Sequence, residues 1–362
     1  MFDTLILSAA IVTAQPLVDA DVLEPSVQNE VDHALSLAPT NEVAVSDASV
    51  AFAALYATNG MSATERAIAL VSSQRGGRWL HGGRDVTPVA TRLLRAASGY
   101  AEPPLRLSIF SDHVEEIARQ EGIPFAAAAA EVKGLGIDGI AVSEGLSPAR
   151  LAEAKAAGLS VSCVIGWPKF DSRYDEEACA RLVARAVESG CGQVMLVPGF
   201  LPDGDGACAV RRAIVERTNR FAAEAAKAGV ETLVEDFDNA RSPTWGRRRV
   251  GAFLADAPSV GFVYDTGNFN GPGERPENGL AFLGRVRHFH LKDRPSPESG
   301  KSVAVGSGVV PMAEIVRAAR DVGYGGWYTI EHFGATNMLA CVRSSVAFLR
   351  GEGFRRQSGG GR

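Results

Sequence analysis

The sequence predicts an α/β chain folded as a (β/α)8 TIM barrel with a helical N-terminal extension. Three observations lead there: eight short apolar runs between residues 105 and 333, amphipathic segments separating them, and no GxGxxG turn after the first run. Alternation of this kind gives parallel strands joined by crossover helices, and eight repeats satisfy ring closure. An open doubly wound sheet reads almost alike, but the missing glycine-rich turn and the full count of eight weigh against it. A barrel takes about 250 residues, which fits residues 104–350 of a 362-residue chain and leaves 1–103 over.

In order, the runs are LRLSIF (105–110), GIDGIAVS (136–143), LSVSCVIG (159–166), GQVMLVPG (192–199), ETLVEDF (231–237), GFVYDT (261–266), VRHFHLK (286–292) and WYTIEHF (327–333). Each is short and rich in Val, Ile, Leu or aromatic residues, as a strand buried on both faces should be. DEEACARLVARAVESG follows the third run, with Leu182, Val183, Ala186 and Val187 spaced for one helical face and a glycine at its end. AVRRAIVERTNRFAAEAAKAG closes on Gly229 just before the fifth run. PMAEIVRAARDVG opens on Pro311 and stops at Gly323, the proline-first, glycine-last asymmetry of helix ends.

Residues 1–103 stand outside this repeat. The segment 25–38 places Val27, Val31, Ala34, Leu35 and Ala38 on one helical face, and Ser62 with Glu65 forms a capping box before ERAIALVSS. Gly76, Gly77, Gly82 and Gly83 mark a turn region after that helix, and 100–104 reads as the linker into the barrel. The tail 351–362, GEGFRRQSGGGR, is expected to be disordered.

Bulk numbers narrow the function classes. A hydrophobic fraction of 46% and a charged fraction of 22% describe an ordinary globular α/β protein. The net charge of −5 argues against a nucleic-acid binder, which would show a basic face. Residues 1–60 hold eight acids and no Lys or Arg, so the remainder carries a net +3 and the acidic stretch lies outside the barrel. Five cysteines without CxxC spacing suit reduced thiols in a cytoplasmic protein. The apolar run 5–14 lacks the basic segment of a secretory signal, and no run reaches the ~18 residues that span a bilayer. No membrane or nucleic-acid partner is expected. Self-association into a homo-oligomer is compatible with the sequence without being specified by it.

Chemistry concentrates at the ends of the last four runs: Glu235, Asp265, His290 and Glu331. In a parallel barrel all strand C-termini open on one face, and consecutive strands are neighbours, so these four line one side of the mouth. Three carboxylates and one imidazole are mostly hard ligands; they favour one Mn²⁺ or Mg²⁺ ion and admit Zn²⁺ or Co²⁺. The competing reading makes each a strand-end polar group ion-paired with Lys292, Arg294 or Arg106.

The motifs GIDGIAV, LVEDF, VYDTGN, HFHLKD and VGSGVV followed by GYGGWYTIEHF resemble the xylose isomerase-like TIM-barrel family of sugar and sugar-phosphate isomerases and epimerases. The resemblance covers about two thirds of the chain and none of 1–103. It implies that Glu235, Asp265, His290 and Glu331 bind a divalent metal. Such an ion acidifies the C–H beside a carbonyl by stabilising the enediolate that forms, and two flanking carboxylates can remove and return the proton. Glu235 and Glu331 are the candidates for that pair, acting on a small carbohydrate. Many members of the family carry His three residues after the sixth-strand Asp, where this chain has Asn268. Asn is a poor metal ligand and no acid-base catalyst, so a single-metal site is expected. The family's zinc-cluster endonuclease branch is disfavoured by Asn268, by only six histidines and by the acidic balance.

Five residues are candidates for substrate contact: Asn268, Lys292 and Arg294 as polar or phosphate-holding groups, Trp167 as a stacking surface, and His113 after the first strand. For four of them a plainer role competes: solvation for the basic pair, rim packing for Trp167, an exposed helix start for His113. Period-two alternation puts His288 on the face of His290 but deeper in the barrel, and turns His332 outward. Arg247, Arg248 and Arg249 read as a solvated face.

Three functions share these features. A metal-dependent isomerase or epimerase acting through a metal-stabilised enediolate comes first. A lyase or dehydratase, acting on a keto-cyclitol or a 3-keto glycoside, would begin with the same proton abstraction and then expel a leaving group. A non-catalytic barrel whose acidic N-terminal part recruits a partner would hold no metal.

Overall fold

The structure, a computed structural model, describes residues 103–351 apart from residue 322 and, earlier in the chain, a short antiparallel ribbon pairing Leu80–His81 with Arg84–Asp85. The helices expected over 25–38 and after Ser62, and the tail beyond 351, lie outside the described residues.

Eight parallel strands close into a barrel: β1 Arg106–Phe110, β2 Gly139–Ser143, β3 Ser160–Gly166, β4 Gln193–Leu196, β5 Glu231–Glu235, β6 Gly261–Asp265, β7 Val286–Lys292 and β8 Trp327–Glu331. Each pairs with the next, and β8 pairs with β1 through Trp327↔Arg106 to Ile330↔Ile109, so the ring has no free edge. All eight fall inside the apolar runs. The chain is therefore a TIM barrel.

The interior is packed rather than open. Phe110, Ala141, Cys163, Ile165, Met195, Val197, Leu233 and Val263 form one buried cluster along its axis. Outside it lie α1 Ser111–Glu121, α2 Phe125–Gly134, α3 Pro148–Ala156, α4 Glu176–Ser189, α5 Ala207–Lys227, α6 Gly246–Asp256, α7 Met312–Asp321 and α8 Met338–Arg350. Caps set their ends: Asp175 accepts from the Ala178 amide at 3.0 Å and left-handed Gly190 closes α4, while Asn337 accepts from the Ala340 amide at 3.0 Å to open α8. In α4 the buried residues are Cys179, Leu182, Ala186 and Ser189; Val187, expected on that face, is exposed. The stripe is thus rotated from Val183 and Val187 toward Cys179, which is apolar but easily left out of a Val/Leu pattern.

Between β6 and β7 two 3₁₀ segments, Asn268–Asn270 and Pro276–Arg285, replace a full α-helix. Pro272 and Pro276 lack the amide a continuing helix would need. Among the described residues no helix is long and apolar enough to cross a membrane, and all five cysteines are free thiols.

Candidate metal centre

Strand register builds the centre. β7 and β8 pair with Thr329 opposite His290 and Glu331 opposite Lys292, and β6 pairs with β7 with Asp265 opposite His290. Alternation places Glu235 on the face of core residue Leu233, and Asp265 on that of Val263. Glu235, Asp265, His290 and Glu331 are all buried, and each offers a ligand atom within 4.8 Å of the others.

Several contacts order the group. His290 Nδ1 donates to Glu235 Oε1 and lies 3.7 Å from Glu331 Oε2. The Lys292 ammonium sits 2.5 Å from Glu331 Oε1, 3.2 Å from Asp265 Oδ2 and 2.9 Å from Asn268 Oδ1. Its stem needs Gly267 beneath it, because a β-carbon there would come within 2.8 Å of Lys292 Cγ and Cδ. The Gly267 amide donates to Asp265 Oδ1 at 2.8 Å and fixes that carboxylate.

Burial dominates the electrostatics. It pushes Asp265 up to about 6 despite the opposing pull of Lys292. It disfavours the charge on Lys292, but Asp265, Glu331 and Glu235 hold that ammonium above its ordinary value. Burial likewise opposes a charged His290, but the Glu235, Glu331 and Asp265 carboxylates together more than offset it, so the imidazole is raised.

The residues fit a divalent ion. Two ligands on opposite sides of an ion at ~2.1 Å lie ~4.2 Å apart, so a group already within 4.8 Å needs only small side-chain shifts. With His290 neutral, as a ligand must be, three buried carboxylates face one ammonium, leaving an excess of two negative charges for a 2+ ion to balance. His290 Nε2 is buried without a hydrogen-bond partner.

A cavity of about 280 Å³ opens over this group, lined by Glu235, His290 and Glu331 and, among the expected contacts, by Asn268, Lys292 and Trp167. Two expectations need correction. Arg294 is buried beneath the mouth, its guanidinium donating to the Gly267 carbonyl at 2.7 Å and the Ser299 carbonyl, and pairing with Asp238 at 2.5 Å. It braces the loop after β7 rather than lining the cavity, because each of its three guanidinium nitrogens already has a partner in the backbone or in Asp238. His113 is neither exposed nor on the cavity wall; it packs beside Phe333 with ring centroids 4.6 Å apart, and its Nε2 accepts from the His332 amide at 2.7 Å. Because α1 starts immediately after β1, its first turn directs residue 113 back against β8.

Other expectations hold. His288 is a satisfied core histidine, with Nε2 2.7 Å from Thr329 Oγ1 and Nδ1 3.2 Å from Gln193 Oε1. His332 turns away from the barrel axis and meets Ser345 of α8 at 2.8 Å. The carboxylates do pair with Lys292, whereas Arg106 lies over the Trp327 ring instead.

Residues missed by the sequence reading include Asp236, whose Oδ1 accepts from the Asp265 amide at 2.9 Å and which burial, then Asp265 and Glu235, push well above its ordinary value. Phe110, Phe237 and Phe333 were also missed on the cavity wall. Phe237 and Phe333 sit two positions after Glu235 and Glu331, so the same alternation that found the acids points to them.

Residues 126–352 match a family described as xylose isomerase-like TIM barrel. No curated protein matches the chain. Among solved structures it is similar to the probable 3-DHS dehydratase AsbF, involved in petrobactin synthesis, from Bacillus anthracis, with a TM-score of 0.57 and 16% identity over 68% of this chain and 99% of that one. It is similar also to a xylose isomerase-like TIM barrel protein from Mycobacterium smegmatis in complex with magnesium (TM-score 0.51, 20% identity, 68% and 96%). A third is D-allulose 3-epimerase from Methylomonas sp. (TM-score 0.54, 17% identity, 68% and 98%). At these identities the likeness is one of fold.

Proposed function

The chain belongs to the xylose isomerase-like TIM-barrel family, and from that membership and the site we propose a metal-dependent isomerase or epimerase of a small sugar, keto-sugar or sugar derivative. One observation carries the reading: two carboxylates, Glu235 and Glu331, flank His290 at the floor of a single small cavity. A cavity of about 280 Å³ is at the small end for ligand sites, which typically run ~300–1,000 Å³, and suits a compact substrate.

Glu235, Asp265, His290 and Glu331 would hold the ion. When bound, it supplies Lewis acidity toward a carbonyl oxygen, which makes the neighbouring C–H removable. Glu235 takes that proton onto a carboxylate oxygen and leaves an enediolate. Glu331, in its protonated form, returns a proton to the other face or to the adjacent carbon, giving epimerisation or isomerisation. Lys292, 2.5 Å from Glu331 Oε1, positions that carboxyl group, and the cycle closes when the proton taken by Glu235 is returned to Glu331 through the substrate hydroxyls or solvent. Asn268, holding Lys292 at 2.9 Å, can donate its amide hydrogens to a substrate hydroxyl.

The same ammonium favours a second reading, elimination. With protonated Glu331 supplying the proton, the ammonium beside it can donate a hydrogen bond to a departing oxygen, as a keto-cyclitol dehydratase or a 3-keto-glycoside lyase requires. NMR of ketoses, keto-cyclitols and 3-keto glycosides in D₂O with Mn²⁺ separates the two. Deuterium entering one carbon with the skeleton intact supports isomerisation, release of water or aglycone supports elimination, and neither event with any substrate overturns both.

A further inference from the structure

The mouth of the barrel is divided by chemistry. The ends of β5 to β8 supply the acids, His290 and Lys292 together with Phe237 and Phe333, whereas the ends of β1, β3 and β4 supply Phe110, Ile165, Trp167, Met195 and Val197. Among the described residues, the cavity wall on that second half offers only Ser143 and Asp112 as polar side chains. Two aromatics of the wall, Trp167 after β3 and Phe333 after β8, are open to solvent. Trp167 is 43% exposed and Phe333 46%, and each has another ring behind it, Phe237 at 5.5 Å from Trp167 and Phe110 at 5.5 Å from Phe333.

Charge limits the ligand further. The wall carries Asp112, Glu235, Asp238 and Glu331, with Asp265 behind them. Its cation Lys292 is paired with Asp265 and Glu331, and neighbouring Arg294 with Asp238. Even with a divalent ion bound, the wall has no positive excess for an anion. A phosphate here would face carboxylates without a free basic partner, a repulsive arrangement in a partly desolvated site.

From this arrangement we infer that the substrate is an uncharged sugar or cyclitol derivative bearing an apolar substituent, its oxygen-rich head toward the buried acids, His290 and Lys292 and its substituent against the exposed rings of Trp167 and Phe333. The inference rests on the carbohydrate reading above and narrows it. A bare polyol filling the cavity would place hydroxyls against Ile165, Met195 and Val197, where they would lose water without gaining a partner. An aromatic or alkyl group placed there removes apolar surface from water on both sides and stacks on rings already held in position.

The test is calorimetric titration of the full chain, with and without Mn²⁺, using D-glucose, methyl β-D-glucoside, phenyl β-D-glucoside and D-glucose 6-phosphate as probes. The phenyl glycoside should bind at least about tenfold more tightly than the methyl glycoside, a factor within what burying one ring provides, and the 6-phosphate most weakly. In Trp167→Ala and Phe333→Ala the phenyl-to-methyl ratio should fall toward one. Equal binding of the two glycosides, tightest binding of the 6-phosphate, or a ratio unchanged in both variants overturns the inference while leaving a sugar site in place. Failure of all four probes to bind, with or without metal, removes the carbohydrate reading together with it.

Discussion

Lys292 and Glu331 are register partners on adjacent strands, and their side chains meet at 2.5 Å inside the barrel mouth. The pairing follows from parallel register alone: both residues point inward at the same height. It makes Lys292 the internal counter-ion of a buried acidic group that also includes Asp265 at 3.2 Å.

Removing that ammonium exposes the excess charge. Lys292→Met should destabilise the metal-free protein by about 3–5 kcal/mol, the usual penalty for breaking a buried pair. Thermal unfolding with EDTA and with Mn²⁺ should give a larger metal-induced rise in Tm for the variant than for the parent, since the ion then does alone what ion and lysine shared. An equal rise in both proteins would count against Lys292 as counter-ion.

Glu235→Gln removes the base and Glu331→Gln the acid while keeping shape. Each should lower turnover by about 10²–10⁴-fold, the contribution typical of a positioned acid-base group. His290→Ala should weaken divalent-ion affinity by more than about tenfold, measured by titration calorimetry. If all three variants bind metal and turn over as the parent does, the cluster is not the active centre.

Ion binding should stabilise the fold in proportion to its occupancy. At a free ion concentration of 100 Kd the gain is about 2.7 kcal/mol, read as a shift of the urea midpoint. Chelation should reverse it, and a midpoint indifferent to every divalent ion tested would exclude a site here.

Buried histidines set an acid limit. Burial is the leading cause in each: it brings His113 down to about 3, with help from His332 and Lys292; it brings His332 down to about 4 and His288 well below its ordinary value. In the unfolded chain each titrates near ~6.5, so between these values only the unfolded state is protonated. Stability is therefore fully present above about pH 6.5 and declines as pH falls toward 4 and 3. His113→Gln, which keeps an acceptor for the His332 amide, should flatten that slope by up to one proton in denaturation curves recorded between pH 7 and 4; an unchanged slope would show that His113 does not contribute.

Asp293 organises the loop after β7. Its carboxylate accepts from the backbone amides of Arg294, Gly306 and Gly308 at 2.9 Å and Val310 at 3.1 Å. Asp293→Asn turns an NH₂ toward donors and should cost about 2–3 kcal/mol, since hydrogen bonds to a charged group are worth ~1.5–3 each. Faster proteolytic cleavage within 294–310, with the rest of the barrel resistant, is the expected signature.

The strands were legible because each is a short apolar run bounded by glycine or polar residues, and the four acids and imidazole because they end consecutive runs. Alternation also placed His288 and His332 correctly. What could not be read depends on which chain segment comes to rest over another. His113 is defined by the His332 amide just after β8, 219 positions away, and Arg294 by a carbonyl and an acid on the neighbouring β6 and β5 loops. Asp236 looked like a second acid beside Glu235, and only the β5–β6 register gives it the Asp265 amide. For the α4 face, a cysteine at 179 carries the stripe that Val187 was expected to carry.

The hydrogen bonding of β8 to β1 has a consequence for biosynthesis. The strand that closes the ring is the last of the eight in the chain and also brings Glu331, so during synthesis Glu235, Asp265 and His290 stand without their fourth partner until residue 331 has been made. These are long-range contacts, slow to form and absent from any shorter product. A chain released before residue 327 would have two unpaired sheet edges and an incomplete set of acids. Assembly of the site and closure of the barrel are therefore one event.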